Sequence, residues 1–413
     1  MQLNVKFWLN FSLLNLCIVA LLGVLMRYKI GFEFPYFDQK HLQHSHSHFA
    51  FSGWISHTLM VLMVVFLENK TKNRTQTISE KYNKIFIANL VCAYGMLVFF
   101  IVEGYGLFSI IFSTLSIVVG CVFAYYFIKD LRLISNDDLS KNWFKASLFF
   151  NIISSLGTFA LAYMMITKNI HQEEYLASIY YYLHFQYNGW FFFACMGLLF
   201  SFLDLKSSEN SFYKYVFNLF FISCIPAYFL STLWWDLQAW IYILTVIAAF
   251  IQVYTWFRLL SSIVRTKREF LENFPFFLRY IILFVGFALS VKFLLQLGST
   301  IPALSQLAFG FRPIVIAYLH LVLLAIISLF LLFYIYANHF IRLNKQIKVG
   351  VIIFSIGVLL NEIVLAVQGI ASFSYTVIPY ANEMLFVIAI ILVLGIGLTT
   401  IFSIKKVKNL PLL

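Results

Sequence analysis

Three histidines, His48, His184 and His320, stand 136 residues apart each time in a chain of 413 residues. Their surroundings align without gaps: HSHFAFSGW over 46–54, YLHFQYNGW over 182–190 and YLHLVLLAI over 318–326. Two residues before each histidine come His46, Tyr182 and Tyr318. Five after come Gly53, Gly189 and Ala325, and six after come Trp54, Trp190 and, where the pattern fades, Ile326. An imidazole is costly in hydrocarbon unless it is paired, hydrated or metal-bound. It is also the commonest protein ligand for metals and an axial ligand for haem iron. A small residue further along the same helix lets something approach the backbone closely. Two readings of the trio stand: a ligand set at one depth, or interfacial residues hydrogen-bonding neighbouring helices.

Other polar residues invite chemistry as well. The stretch HLQHSHSH places His41, His44, His46 and His48 within eight residues. In a helix His44 and His48 share a face one turn apart. The stretch, with His44 and His46 as candidate ligands, suits either a copper or zinc site or a plain interfacial histidine cluster. His57 reads as a helix-packing residue. Lys292 and Glu362 are the deepest opposite charges; they pair with each other, or Glu362 carries protons. The five cysteines (17, 92, 121, 195 and 224) all fall in apolar runs with no CxxC pair, and read as buried thiols. The sequence holds no nucleotide-binding motif, no HExxH and no serine nucleophile arrangement.

The elements that must position these groups are membrane helices. The chain is 62% hydrophobic and only 11% charged, with a mean hydropathy of +0.87. A soluble domain carries about 25% charged residues, so the solvent for most of this surface is lipid. Apolar runs of about 20 residues predict twelve transmembrane helices. They fall near 7–26, 48–67, 85–103, 106–128, 145–166, 178–203, 215–233, 238–257, 277–297, 313–336, 349–369 and 383–404. Each repeat histidine then opens the second helix of a four-helix set. The predicted fold is all-α and polytopic, with three pseudo-symmetric sets over about 1–140, 141–275 and 276–413 in one transmembrane domain.

The net charge of +12 reflects topology, not nucleic acid. With the N-terminus inside, most of the 29 Lys and Arg fall in inside segments, while Arg27, Lys29, Lys40, Lys168 and Arg312 lie outside. Both termini are then cytoplasmic, and the repeat histidines lie just inside the outer face of a bacterial cytoplasmic membrane.

This arrangement resembles subunit I of the haem-copper oxidase and nitric oxide reductase superfamily, whose twelve helices form three four-helix arcs with ligand histidines on helices two, six, seven and ten. The resemblance covers the whole chain in topology and short motifs in sequence. It implies that His48 and His320 are the opposing ligands of a low-spin haem. The family's high-spin haem ligand, two residues before the latter, is Tyr318 here, and tyrosine also ligates haem iron. His184 would match a ligand of the neighbouring copper, but the helix-seven histidines are absent, and a copper site needs three or four ligands. Arg312, directly before Pro313 at a helix start, would either pair with a haem propionate or anchor the helix at the interface.

The expectation is therefore a bis-histidine haem protein for electron transfer or gas-ligand binding, without a complete oxygen-reducing centre. An electron donor such as a quinol or cytochrome, and other membrane subunits, would be its partners. Two other classes compete: a cofactor-free twelve-helix transporter, which would favour two inverted halves, and an oxidase assembly or accessory scaffold.

Overall fold

The computed structural model describes residues 3–71, 75–203 and 210–405, and these are helical nearly throughout. Lys72, Arg74, Lys206, Lys406 and Lys408, counted above among the inside charges, lie outside the described residues. In chain order the long helices are α1 (Val5–Gly31), α2 (Gln39–Lys70), α3 (Thr75–Glu103), α4 (Leu107–Leu131), α5 (Ser140–Thr167), α6 (172–202), α7 (Asn210–Cys224), α8 (Ala239–Thr266), α9 (Phe276–Gly298), α10 (Arg312–Ala337), α11 (Lys345–Phe373) and α12 (Ala381–Ile404). Among the described residues ten helices are long and apolar enough to cross a membrane. The count rises to eleven if α7 and the short helix Pro226–Thr232, bent 44° from it, form one span. α6 is equally long, but its Tyr, Gln and Asn side chains make it less apolar.

Local sequence explains where several helices begin and bend. Asn4 accepts a hydrogen bond from the Phe7 amide, Asn344 from the Ile347 amide, and Asp38 from the Lys40 and His41 amides, each capping a helix start. The His41 and Lys40 amides hold the Asp38 carboxyl below its ordinary range, led by the bond from His41. Pro313 sits in the first turn of α10, where its missing N–H costs nothing. Pro226 has no N–H to continue α7, and the chain bends there.

Helices α2, α6 and α10 meet at the centre, and each contains a π-helical segment within two residues after its repeat histidine: Ala50–Ser56, Phe185–Phe191 and Leu321–Ser328. The segments mark a change in packing. Beyond them the three helices are almost wholly buried, as over His57–Leu67, 192–198 and 329–337. Before them the helices are loosely enclosed. None of Arg312–His320 is fully buried, and on α6 only Ala177 and His184 are buried before the π-helical segment. The bundle is thus tight at one end and open at the histidine end.

Two indoles tie the centre together. Trp54 donates to Ser328 Oγ at 2.9 Å, and Trp190 donates to Ser56 Oγ at 3.1 Å. Such bonds contribute only about 0.6 kcal/mol each in membrane bundles, so the fully buried indole rings matter more through packing. Around this core α1 packs on α12, bringing the first and last helices together, and α11 lies along α12. At the tight end Lys81 and Tyr82 both reach Asp130, and Lys70 pairs with Asp138 at 2.8 Å.

The α11–α12 contact depends on glycine. A Cβ on Gly350 would meet the Gly395 carbonyl at 2.8 Å, and one on Gly395 would strike the Phe354 backbone. Gly395→Ala is expected to destabilise the bundle by about 1–3 kcal/mol, read as a lower thermal midpoint in detergent. Gly310→Ala, where a Cβ meets nothing within 4 Å, should leave the midpoint unchanged.

Candidate functional site

The three repeat histidines and His46 have different fates. His184 is fully buried. Its Nε2–H donates to the Cys224 carbonyl at 2.9 Å, and Asn188 Nδ2 donates to its Nδ1 at 3.1 Å. That carbonyl is free because of the bend at Pro226: the Tyr228 amide, which would bond Cys224 in a straight helix, bonds Ile225 instead. With both ring nitrogens spent inside the protein, His184 has no lone pair to offer in this arrangement. Among the described residues no three His, Cys, Asp or Glu side chains come together as a metal site.

His48 points away from α10. Its ring stacks on Phe100 at 4.3 Å, and its Nε2 lies 3.2 Å from the Tyr105 hydroxyl. It does not face His320. Tyr318 is also turned aside, toward α6, where its ring meets the Tyr187 ring at 6.2 Å. His48 and Tyr318, the residues expected beside His320, thus contact other neighbours: Phe100 and Tyr105 for the first, Tyr187 for the second.

His46, on the opposite face of α2 from His48, lies near enough to His320 for their charges to interact. The His46 Nδ1–H donates to the Val19 carbonyl at 3.1 Å, and the His320 Nδ1–H donates to the Ile316 carbonyl at 2.9 Å. A carbonyl can only accept, so each bond leaves Nε2 unprotonated in the neutral ring. Neither Nε2 has a hydrogen-bond partner among the described residues. Both side chains are set deep in the bundle yet keep accessible surface. A ligand histidine held by a backbone carbonyl through its other nitrogen is the usual second-shell pattern at metal sites.

Two arginines flank this pair. Arg27, on α1, is close enough for its charge to reach His46, His320 and Arg312. Arg312 donates to Gln43 Oε1 at 3.0 Å. Neither arginine forms an ion pair among the described residues. The open end thus gathers two cations and two half-satisfied imidazoles with no carboxylate to answer them. The sequence places His46 in the histidine-rich stretch, as a candidate metal ligand, and at the repeat position aligned with Tyr182 and Tyr318, and Arg27 only among the outside charges. The signal for His46 was the repeat itself, whose alignment favoured His48. The π-helical segment begins two residues after His48 but one after His184 and His320, so the first repeat is out of register with the others there.

The remaining candidates are separate. His44 packs its ring against Tyr105 at 4.6 Å. His57 is fully buried between the rings of Trp8 and Phe86, each at 5.8 Å, in keeping with a packing role. All five cysteines are free; Cys92, Cys195 and Cys224 are buried, and Cys17 and Cys121 are half-buried. Lys292 and Glu362 form no pair with each other. The Glu362 Oε1 accepts from Asn361 at 3.2 Å, while the buried Lys292 lies with its Nζ 4.1 Å from the Phe293 ring centroid.

No family model matches the chain, and no curated protein is similar to it at a significant level. Lys292 gives a test independent of any ligand. A buried amine without an acidic partner opposes folding, and an apolar replacement of like shape is neutral or stabilising by about 1–4 kcal/mol. Lys292→Met is expected to hold or raise the thermal midpoint in detergent, whereas a marked fall would show that the amine has an essential partner.

Proposed function

We propose that this chain is a twelve-span membrane protein of the oxidase subunit I type that holds one low-spin haem between His46 and His320. α6 and the bent α7 unit complete the twelve spans, and the three histidine-bearing helices are the centres of three four-helix sets. One observation carries the reading: two imidazoles on adjoining helices, each pinned through Nδ1 to a backbone carbonyl, with each Nε2 free in an arginine-flanked opening. Haem iron takes imidazole nitrogen as an axial ligand, and its two carboxylates suit the guanidinium groups of Arg27 and Arg312. The residues present therefore fit the group.

Each residue has a distinct part. Val19 and Ile316 fix the ring tautomers. Arg27 and Arg312 compensate the carboxylate charge, and Gln43 orients Arg312. Haem bound in this way supplies reversible one-electron transfer. With His46 and His320 both as ligands, the bound haem would favour electron transfer over gas binding. The donor would be a quinol or a cytochrome. The positive-inside pattern places the site toward the outer face of a bacterial cytoplasmic membrane, next to partner membrane subunits.

The test is a reduced-minus-oxidised spectrum of protein purified after expression with ample haem. A low-spin band should be present, lost in His46→Ala and His320→Ala, and retained in His48→Ala. A band lost in His48→Ala and kept in His46→Ala would transfer the ligand role to His48. A colourless protein would overturn the haem reading.

A further inference from the structure

Helix α2 carries histidines on two opposite faces. His46 faces α1 and α10. His44 and His48, one turn apart, share the other face and converge on Tyr105. The His48 Nε2 stands 3.2 Å from the Tyr105 hydroxyl, and the His44 ring centroid lies 4.6 Å from the Tyr105 ring. Phe100 backs both imidazoles, stacking on His48 at 4.3 Å and tilting against His44 at 6.1 Å. The His44 ring has no hydrogen-bond partner among the described residues.

The turn that delivers Tyr105 is built for that position. Gly104 adopts φ +61, a conformation that favours glycine. A Cβ there would come within 2.5 Å of the His41 ring. The nearby carboxylate of Glu103 is spent on the Ser109 amide, accepting at 2.8 Å, so it caps α4 and does not neutralise the histidines. What converges is two imidazoles and one phenol oxygen, within the first three turns of α2.

We propose that His44, His48 and Tyr105 form a binding site for a divalent transition-metal ion, separate from the His46–His320 pair. Nitrogen and oxygen donors of this kind suit copper, zinc and nickel, and among divalent ions copper binds such sets most tightly. Two histidines spaced i and i+4 chelate from one helix face, and the phenol closes the third side. When the copper–oxygen bond forms, the phenol O–H bond breaks and its proton leaves to solvent, as metal binding to a protonated ligand requires. The free remaining positions take water. The assignment does not rest on the haem reading, because the two sites use opposite faces of α2.

The experiment titrates the purified full-length protein in detergent with copper(II) sulfate against a competing chelator, with absorbance and electron paramagnetic resonance as readouts. One copper per chain is expected, with nitrogen hyperfine structure and a visible phenolate-to-copper charge-transfer band. His44→Gln and His48→Gln should each weaken binding by at least about tenfold. Tyr105→Phe should remove the charge-transfer band while the nitrogen hyperfine structure persists. His46→Ala should bind copper as the wild type does, even where it abolishes a haem band. Wild-type affinity in the His44→Gln/His48→Gln double variant would overturn the site, and an unchanged spectrum in Tyr105→Phe would remove tyrosine from the ligand set. Circular dichroism and gel filtration of each variant separate a lost ligand from a lost fold.

Discussion

Hydrocarbon offers no hydrogen bonds, so each polar group in this bundle must be answered from within the protein. The histidines show how differently that demand can be met. His184 is answered at both nitrogens, and the answer at Nε2 depends on a carbonyl released by Pro226. His48 is answered by a tyrosine and an aromatic face. His46 and His320 are answered at one nitrogen only. The half-answered pair sits beside two arginines that lack counter-ions. This contrast sets His46 and His320 apart from His184, whose two ring nitrogens are both engaged.

The same constraint shapes the centre. The Trp–Ser bonds follow the sequence repeat: the indole six residues after one repeat histidine reaches the hydroxyl eight residues after another. The third such link would join positions 326 and 192, which are Ile326 and Phe192. Both line an apolar cavity of about 390 Å³ shared with Trp256, Val285 and Phe330. Where the polar link is missing, the packing is also incomplete, which fits an indole–hydroxyl pair doing more for close approach than for energy.

Much of the helical plan was legible because hydrophobic runs of span length have few alternatives in a chain so poor in charge. The repeat was legible too, since three gapless segments of like sequence share one spacing. What could not be read was the direction of a side chain on its helix. Residues 46 and 48 lie on nearly opposite faces, and the repeat spacing does not say that His46 turns toward Val19 and His48 toward Tyr105. Arg27 was hidden for another reason: it belongs to a helix far from α10 in the chain, and only the packing of α1 near the centre brings it to the histidines. The Lys292–Glu362 pairing failed because depth alone does not set which neighbour a side chain meets.

The π-helical segments have a further consequence. A π-type turn holds a surplus residue relative to an α-helical one, and each residue of an α-helix turns the chain by about 100°. Rewinding 185–191 as α-helix without changing its length would rotate His184 by about that angle relative to the buried half beyond it, whereas deleting the surplus residue would keep the two halves nearly in phase. After such a rotation the His184 ring would leave Cys224 and turn toward another neighbour. The surplus residue thus works as a phase adjuster: it lets the open end of a helix choose its partners independently of the packed end. A change between π- and α-helical winding in these segments would re-aim a whole row of side chains while leaving the tight half of the bundle in register.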